Sequence, residues 1–251
     1  NRLLELGDFN FSHSKWDETM HRQLVEMEKK DFPGLIKPLV NRVSKYIFSE
    51  NRPLIIGNFG SGGMETERQI IKKCLETNYQ HPIIFVGIDQ SEKVKEIAKD
   101  NLKELEDKIE IIELEKISRD FLKNLKNQKD SSYIIILCKN NIFHLDKELE
   151  EKTFDLVFHT LFRHHIVLKD QNYLDQLSEK ISGKIIEYDG IQSWGEIIPQ
   201  TIVGWNNPVF LNAEIFSNLR FLTKKEVQKR QSKNNKITFH PLGYYMLEYT
   251  Q

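Results

Sequence analysis

Three glycines and one acid mark the part of this chain that could do chemistry. Gly60, Gly62 and Gly63 follow the short apolar run Leu54–Ile56 and precede a stretch with helical spacing. Glycine has no Cβ, so a ligand can closely approach the backbone N–H groups of such a turn. Asp89 ends the next apolar run, where a carboxylate can accept hydrogen bonds from both hydroxyls of a ribose. Together these features predict a site for a ligand that contains a nucleoside.

The glycine turn alone is a weak signal, because a tight connection between a strand and a helix also favours glycine. The dinucleotide fingerprint needs glycine or alanine where this chain has Glu65, and a glutamate there would repel a pyrophosphate. S-adenosylmethionine has no phosphate and carries a sulfonium, so an acidic neighbourhood suits it better. An NAD(P)-dependent oxidoreductase remains an alternative, because the turn and Asp89 fit it as well.

The elements that would position these residues alternate between strands and helices, which is typical of a parallel sheet covered on both faces. Seven strands are predicted, at Leu54–Ile56, Ile83–Ile88, Tyr133–Cys138, Phe154–Phe158, Gly183–Tyr188, Lys236–His240 and Tyr244–Tyr249. The last two should form an antiparallel hairpin, since Pro241, Leu242 and Gly243 turn between them. The segment Asp107–Lys129 is ambiguous, and its spacing favours a mostly helical insertion.

The first fifty residues have helical periodicity over Trp16–Lys29 and Leu35–Phe48. They are predicted to form an N-terminal helical cap (1–50) on a Rossmann-like domain (51–251). The formal net charge of −1 disfavours a protein that mainly grips nucleic acid. Two cysteines without metal-ligand spacing predict a reducing cytoplasm and no metal site. No apolar run approaches the roughly 18 residues that span a membrane.

At this point the chain resembles the class I S-adenosylmethionine-dependent methyltransferases. Leu54–Gly63 is similar to their first motif, with Asn58 in the place of an acid and Met64 in the place of the last glycine. Asp89 matches the acid that binds ribose, and Leu161–His165 resembles a Leu-x-x-His-His run after the fourth strand. The resemblance implies a seven-stranded, mostly parallel α/β sheet in the order 3-2-1-4-5-7-6, with helices on both faces.

The resemblance also implies S-adenosyl-L-methionine as cofactor and a set of contact residues. These are Asn58, Phe59, Gly60, Ser61, Gly62 and Gly63 in the turn, Asp89 and Gln90 after the second strand, Asn140, Asn141 and Ile142 after the third, and His159 and Thr160 at the end of the fourth. His159 is also open to interpretation as a hydrogen-bonded core residue.

Methyl transfer from a sulfonium needs mainly positioning and exclusion of water, with a base only for some acceptors. His164 and His165 are the candidate bases, and helix capping is the alternative role. Aromatic residues cluster near the start of the chain and after the fifth predicted strand: Phe9, Phe11, Trp16, Trp194, Trp205, Phe210 and Phe216. They favour a small, partly apolar or aromatic acceptor, and ordinary packing of loops onto the domain is the alternative. The motifs of base-methylating enzymes are missing, which disfavours nucleic acid as the acceptor.

A catalytically silent cofactor-binding module remains an alternative because of Asn58 and Met64. The oligomeric state cannot be read from the chain.

Overall fold

The computed structural model describes residues 14–30, 35–127, 133–147, 149, 151–163, 166, 168–191, 222–240 and 243–250. The strands are β1 (Leu54–Phe59), β2 (Ile83–Asp89), β3 (Ile109–Leu114), β4 (Tyr133–Lys139), β5 (Leu156–Thr160), β6 (Lys184–Gly190), β7 (Asn235–His240) and β8 (Tyr244–Thr250). The helices are α1 (Ser14–Lys29), α2 (Lys37–Ser49), α3 (Glu65–Glu76), α4 (Glu92–Leu102), α5 (Arg119–Lys126), α6 (Leu168–Ile181) and α7 (Lys224–Lys229).

All eight strands form one sheet in the order β3-β4-β2-β1-β5-β6-β8-β7. Strands β1 to β6 pair in parallel, and β8 is antiparallel to both β6 and β7. The seven predicted strands correspond to all of these except β3, and their predicted order is confirmed. The predicted hairpin is confirmed as β7–β8. Parallel strands place their carboxyl ends at one edge, which is where open α/β sheets bind ligands.

The prediction of a mostly helical insertion at Asp107–Lys129 is wrong for its first half. Ile109–Leu114 is the edge strand β3, which pairs in parallel with β4, and only Arg119–Lys126 is helical. A strand at the sheet edge is only partly buried, so the apolar pattern of β3, interrupted by Glu110 and Glu113, is not distinctive. The helical spacing that suggested an insertion belongs to the turn and helix that follow β3.

Two apolar clusters cover the two faces of the sheet. The first joins α2 and α3 to alternate residues of the central strands, including Leu54 and Ile56. The second holds the residues between them, such as Ile55 and Phe59, against α5 and α6. Since side chains alternate along a strand, β1 is buried on both faces, as expected for a central parallel strand. The glycine turn therefore starts from a strand that is buried along its whole length.

The helix ends agree with local chemistry. Ser118 caps α5 by accepting from the N–H of Phe121 at 3.3 Å, and Thr223 with Glu226 forms a capping box on α7.

Among the described residues, no helix is both long enough and apolar enough to span a bilayer. The described part of the chain also holds no group of three His, Cys, Asp or Glu residues arranged to bind a metal ion.

Candidate functional site

The turn between β1 and α3 has a left-handed backbone at three positions. Gly60 has φ 66°, Gly62 has φ 50° and Met64 has φ 58°. The N–H groups of Gly60 and Ser61 both donate to the carbonyl of Ile88, at 2.9 and 3.3 Å. Two of the three positions carry glycine, which adopts this conformation without a steric penalty. The turn is thus bent back over the end of β2, where Asp89 lies.

The carboxylate of Asp89 joins the glycine turn to the start of α4. Its Oδ2 accepts from the N–H of Gly62 at 3.2 Å, and its Oδ1 accepts from the N–H of Ser91 at 3.0 Å. The N–H of Asn140, after β4, donates to the Asp89 carbonyl at 3.0 Å. Three segments that the sequence predicted to share a site therefore meet at one residue.

The segment after β5 reaches the same turn. A Cβ built on Gly60 would overlap the ring of Phe162, so this ring lies directly on the glycine backbone. Leu161 has φ 50°, and its N–H donates to the Tyr188 carbonyl at 2.8 Å, which holds the segment after β5 to the end of β6. The Oγ1 of Thr160 is buried and has no hydrogen-bond partner in the described structure. A buried hydroxyl without a partner is the kind of group that a bound ligand satisfies.

The other predicted contact residues lie around this turn in different environments. The side chain of Phe59 packs in the apolar cluster on the α5–α6 face, so any part in ligand binding falls to its backbone. Gln90 is exposed. The Oδ1 of Asn141 accepts from the N–H of Phe143 at 3.0 Å, and Ile142 is buried. Gly63 lies under α1, because a Cβ there would overlap Val25.

His159 lies at the end of β5 and is fully buried. Its Nε2 is 3.6 Å from the Oε2 of Glu187, and its Nδ1 has no hydrogen-bond partner in the part of the chain that the structure describes. Burial lowers the pKa of His159, although the Glu187 carboxylate opposes the shift. The imidazole is therefore neutral at physiological pH.

The candidate bases His164 and His165 lie outside the described residues, and so do Phe9, Phe11, Trp194, Trp205, Phe210 and Phe216. The two histidines directly follow Arg163, which is described and almost completely buried. Their roles therefore remain predictions that rest on the position of the preceding segment.

Sequence reasoning missed a buried ionic network that connects the segment after β5 with β6. The Nε of Arg163 donates to the Oε2 of Glu187 at 2.8 Å, and its other end pairs with Asp175. Arg230, near the end of α7, also pairs with Glu187 and Asp175, and Tyr245 donates its hydroxyl to Glu187. Burial would raise the pKa of Glu187, but Arg163 and Arg230 hold it well below its usual range. A glutamate within the apolar strand β6 was the available signal, because a buried charge needs a partner.

The carboxylate of Glu65 should repel a phosphate less strongly than the sequence suggested. It pairs with Arg68 and accepts from Asn101 at 3.0 Å. Burial would raise the pKa of Glu65, but hydrogen bonds from Arg68, Gln69 and Asn101 outweigh it and lower the pKa. The repulsion of a pyrophosphate is therefore partly compensated. What remains is that the first turn of α3 already carries two acids, Glu65 and Glu67, at its positive end.

Met64 gives a test of the turn itself, because it is fully buried and has a left-handed backbone. We expect Met64→Ala to cost about 2–5 kcal/mol by loss of packing. Met64→Gly loses the same side chain but regains about 1–2 kcal/mol, since glycine adopts positive φ freely. The expected order of unfolding free energy, measured in urea, is wild type, then Met64→Gly, then Met64→Ala. A more stable alanine variant would contradict the described backbone.

Comparison with solved structures identifies the fold. The chain matches the plantazolicin methyltransferase BpumL, solved in complex with a triazolic desmethylPZN analog and SAH, with a TM-score of 0.61 at 12% identity, over 99% of this chain and 96% of that one. It matches magnesium protoporphyrin IX methyltransferase from Synechocystis, solved with bound SAH, with a TM-score of 0.55 at 12% identity, over 96% of each chain. No protein-family model and no curated protein sequence matches it. The chain thus has the class I methyltransferase fold, as its motifs predicted.

Proposed function

We propose that this chain is an S-adenosylmethionine-dependent methyltransferase that acts on a small, partly apolar or aromatic acceptor. The observation that carries the proposal is the hydrogen bond of 3.2 Å between the Asp89 carboxylate and the N–H of Gly62. It places an acid suited to ribose hydroxyls directly on the glycine turn. The two solved methyltransferases of this fold named above contain SAH, which supports the same ligand here. Fold alone does not determine function, so the argument depends on this site.

The residues at the turn fit the chemistry of this cofactor. Buried acceptor atoms on Asn58 and Thr160 have no partner within the described residues, and the cofactor offers ammonium and hydroxyl donors to such atoms. The first turn of α3 carries Glu65 and Glu67, so the positive end of this helix already has acidic side chains beside it and attracts a phosphate less. S-adenosylmethionine has no phosphate, whereas NAD(P) has at least two. The NAD(P)-dependent alternative is therefore the weaker one.

When bound, the cofactor supplies a methyl group carried on a sulfonium sulfur. After the methyl group is transferred, that sulfur is a neutral thioether. The chain contributes binding, orientation and exclusion of water. In this proposal the glycine backbone and Asp89 hold the adenosine, and the segment 140–142 contacts the adenine. The Phe162 ring lies against Gly60 at one side of the turn. His164 or His165 takes a proton from the acceptor where the acceptor carries one.

The direct test is calorimetric titration of the intact chain with S-adenosylhomocysteine and, separately, with NAD. Saturable binding of S-adenosylhomocysteine and none of NAD is expected, and the reverse would replace the proposal by an oxidoreductase. A radiolabel screen with S-adenosylmethionine then distinguishes a methyltransferase from a silent module. Binding without transfer to any apolar or aromatic acceptor would favour the module, for which Asn58 and Met64 are the motivation.

Asp89→Ala is expected to weaken S-adenosylhomocysteine binding roughly 100-fold. A charged acceptor loses about 1.5–3 kcal/mol for each hydrogen bond removed, and about 1.4 kcal/mol is a factor of ten in affinity. The loss of the link to Gly62 acts in the same direction, since the turn is then held less firmly. Calorimetry gives the dissociation constant. Glu96→Ala, at an exposed position of α4, serves as the control and should bind as wild type does. Unchanged affinity of Asp89→Ala would remove Asp89 from the site.

A further inference from the structure

Three rings form an aromatic cluster at the carboxyl edge of the sheet, on the side of β6, β8 and β7. The rings of Tyr188, near the end of β6, and Tyr244, at the start of β8, are stacked, with centroids 5.6 Å apart and 17° between their planes. The ring of His240, at the end of β7, meets Tyr188 edge-on at 5.7 Å and 70°. Tyr188 is 1% exposed, whereas Tyr244 and His240 are only partly buried. Tyr188 therefore supports two rings that a ligand can contact.

The register of the sheet places the aromatic cluster beside the glycine turn and away from Asp89. Tyr188 pairs in register with Thr160, the last residue of β5, so the two side chains lie on one face of the sheet. Strand β5 lies between β6 and β1, so β6 is roughly 10 Å, or two strand spacings, from the strand that leads into the turn. Asp89 ends β2, which pairs with the other side of β1. The aromatic cluster and the acid proposed for the ribose thus lie on opposite sides of the turn.

His240 brings one polar atom to this cluster. Its Nε2 is buried and has no hydrogen-bond partner among the residues that the structure describes. Burial lowers the pKa of His240, so the imidazole is neutral at physiological pH and keeps one nitrogen that can accept a hydrogen bond. A buried polar atom without a partner in the protein is the kind of atom that a ligand satisfies. The aromatic cluster therefore combines ring surface with a single hydrogen-bonding nitrogen.

This combination favours a flat ring that carries one hydrogen-bond donor. Aromatic rings attract each other in stacked and edge-on arrangements, in addition to the apolar area that they bury. A hydroxyl or N–H group on such a ring can donate to the Nε2 of His240 while the ring packs against Tyr244. An aliphatic alcohol offers only the donor, and an aromatic hydrocarbon offers only the ring. The aromatic cluster should therefore discriminate against both of these.

We propose that His240 and Tyr244, supported by Tyr188, form the subsite for the methyl acceptor, and that the acceptor is an aromatic molecule with a hydroxyl or N–H group. In this subsite the Nε2 of His240 accepts a hydrogen bond from that group, and the Tyr244 ring packs against the aromatic ring. His240 and Tyr244 thereby determine which acceptors bind. The inference rests on the proposed function and names the class of its substrate.

The test measures the affinity of three small probes for the intact chain saturated with S-adenosylhomocysteine, by ligand-observed NMR. Phenol has the ring and the hydroxyl, toluene has a methyl group in place of the hydroxyl, and cyclohexanol has the hydroxyl without the aromatic ring. His240→Phe keeps a ring but removes both nitrogens, so it should lower the ratio of phenol to toluene affinity about 5-fold, as expected for one neutral hydrogen bond. His81→Phe is the matched control, because His81 also meets a tyrosine ring, Tyr79, edge-on at 5.5 Å but lies before β2 at the other edge of the sheet. Its ratio should equal that of wild type.

Tyr244→Leu tests the ring surface. It should lower the ratio of phenol to cyclohexanol affinity about 5-fold, because an aromatic pair is replaced by an aliphatic side chain. Tyr249→Leu, on the same strand but packed in the apolar cluster of the opposite face, is the control and should leave this ratio unchanged. Each comparison is a ratio of two affinities of one variant, so a general loosening of the fold cancels. Unchanged ratios in both His240→Phe and Tyr244→Leu would overturn the inference.

A second measurement needs no variant. In the wild-type chain labelled with ¹⁵N and saturated with S-adenosylhomocysteine, the Nε2 resonance of His240 should shift as phenol is added and should follow the binding curve of phenol. Toluene should shift it less, because it offers no donor. A resonance that stays in place while phenol saturates the chain, or no binding of phenol at all, would overturn the inference and leave the proposed function intact. If calorimetry shows no binding of S-adenosylhomocysteine, the proposed function fails and the inference fails with it.

Discussion

Alanine in place of Gly60 is expected to weaken S-adenosylhomocysteine binding by about 100-fold or more. Gly60 has φ 66°, and a residue with a Cβ pays about 1–2 kcal/mol in this conformation. The added Cβ would also overlap the Phe162 ring, and overpacking of this kind costs about 1–3 kcal/mol. The chain relieves both costs by moving Phe162 and the turn apart, which separates the two walls of the proposed site. Calorimetric titration measures the loss.

Two further variants make the Gly60 result interpretable. Gly183→Ala is the control, since a Cβ there has no heavy atom within 4 Å, and its affinity should equal that of wild type. The double variant Gly60→Ala with Phe162→Ala removes the overlap and should recover part of the affinity, leaving the backbone cost. If Gly60→Ala binds like wild type while remaining folded by circular dichroism, the glycine turn is not the binding site.

Methionine in place of Arg163 should have the largest effect on stability, with a loss of about 3–5 kcal/mol in the free energy of unfolding. Arg163 is 2% exposed, donates to Glu187 at 2.8 Å and pairs with Asp175. Removing one partner of a buried ion pair leaves the other charge without sufficient compensation. Arg163 also directly follows Phe162, so its loss frees the segment that covers Gly60. We therefore expect weaker S-adenosylhomocysteine binding in addition to lower stability.

Arg230→Met is the matched comparison, because Arg230 pairs with the same two acids, Glu187 and Asp175, from α7. Its removal should also lower the unfolding free energy, measured in urea, but should leave S-adenosylhomocysteine affinity within about twofold when titrated below the unfolding transition. The difference between the two variants separates a general loss of stability from a specific loss of positioning. Equal affinities in Arg163→Met and Arg230→Met would show that the ionic network has no influence on the turn.

Glu65 and Glu67 are two glutamates on one helix turn whose surroundings differ. Both belong to the first turn of α3 and both are buried. Glu65 is neutralised locally by Arg68, and its pKa is lowered, whereas the pKa of Glu67 is raised to about 7 beside the neutral Asn58. Glu65 thus has a cationic partner in Arg68, whereas the side chain that donates to Glu67 is the neutral amide of Asn58. This difference comes from the partners and not from the residue type.

The sequence by itself determined the main sheet and the turn. Seven strands followed from apolar runs punctuated by glycine and proline, because these signals act over a few residues. Their order was implied by the resemblance to class I methyltransferases. The closeness of Gly62 to Asp89 was also predictable, since carboxyl ends of adjacent parallel strands must meet at one edge. Strand β3 was not predictable in this way, because an edge strand is only partly buried and its apolar run is interrupted by Glu110 and Glu113.

Only the tertiary structure decided which charges are paired. Asn58 and Glu67 are 9 residues apart and Arg163 and Glu187 are 24 apart, and no local pattern links them. Their pairing depends on burial, which removes water as a partner and forces each polar atom to find another within the protein or in a ligand. The turn at Gly60–Gly63 could be found in the sequence. The buried acceptor atoms on Asn58, Glu67 and Thr160 that have no partner among the described residues could be found only after the chain was folded.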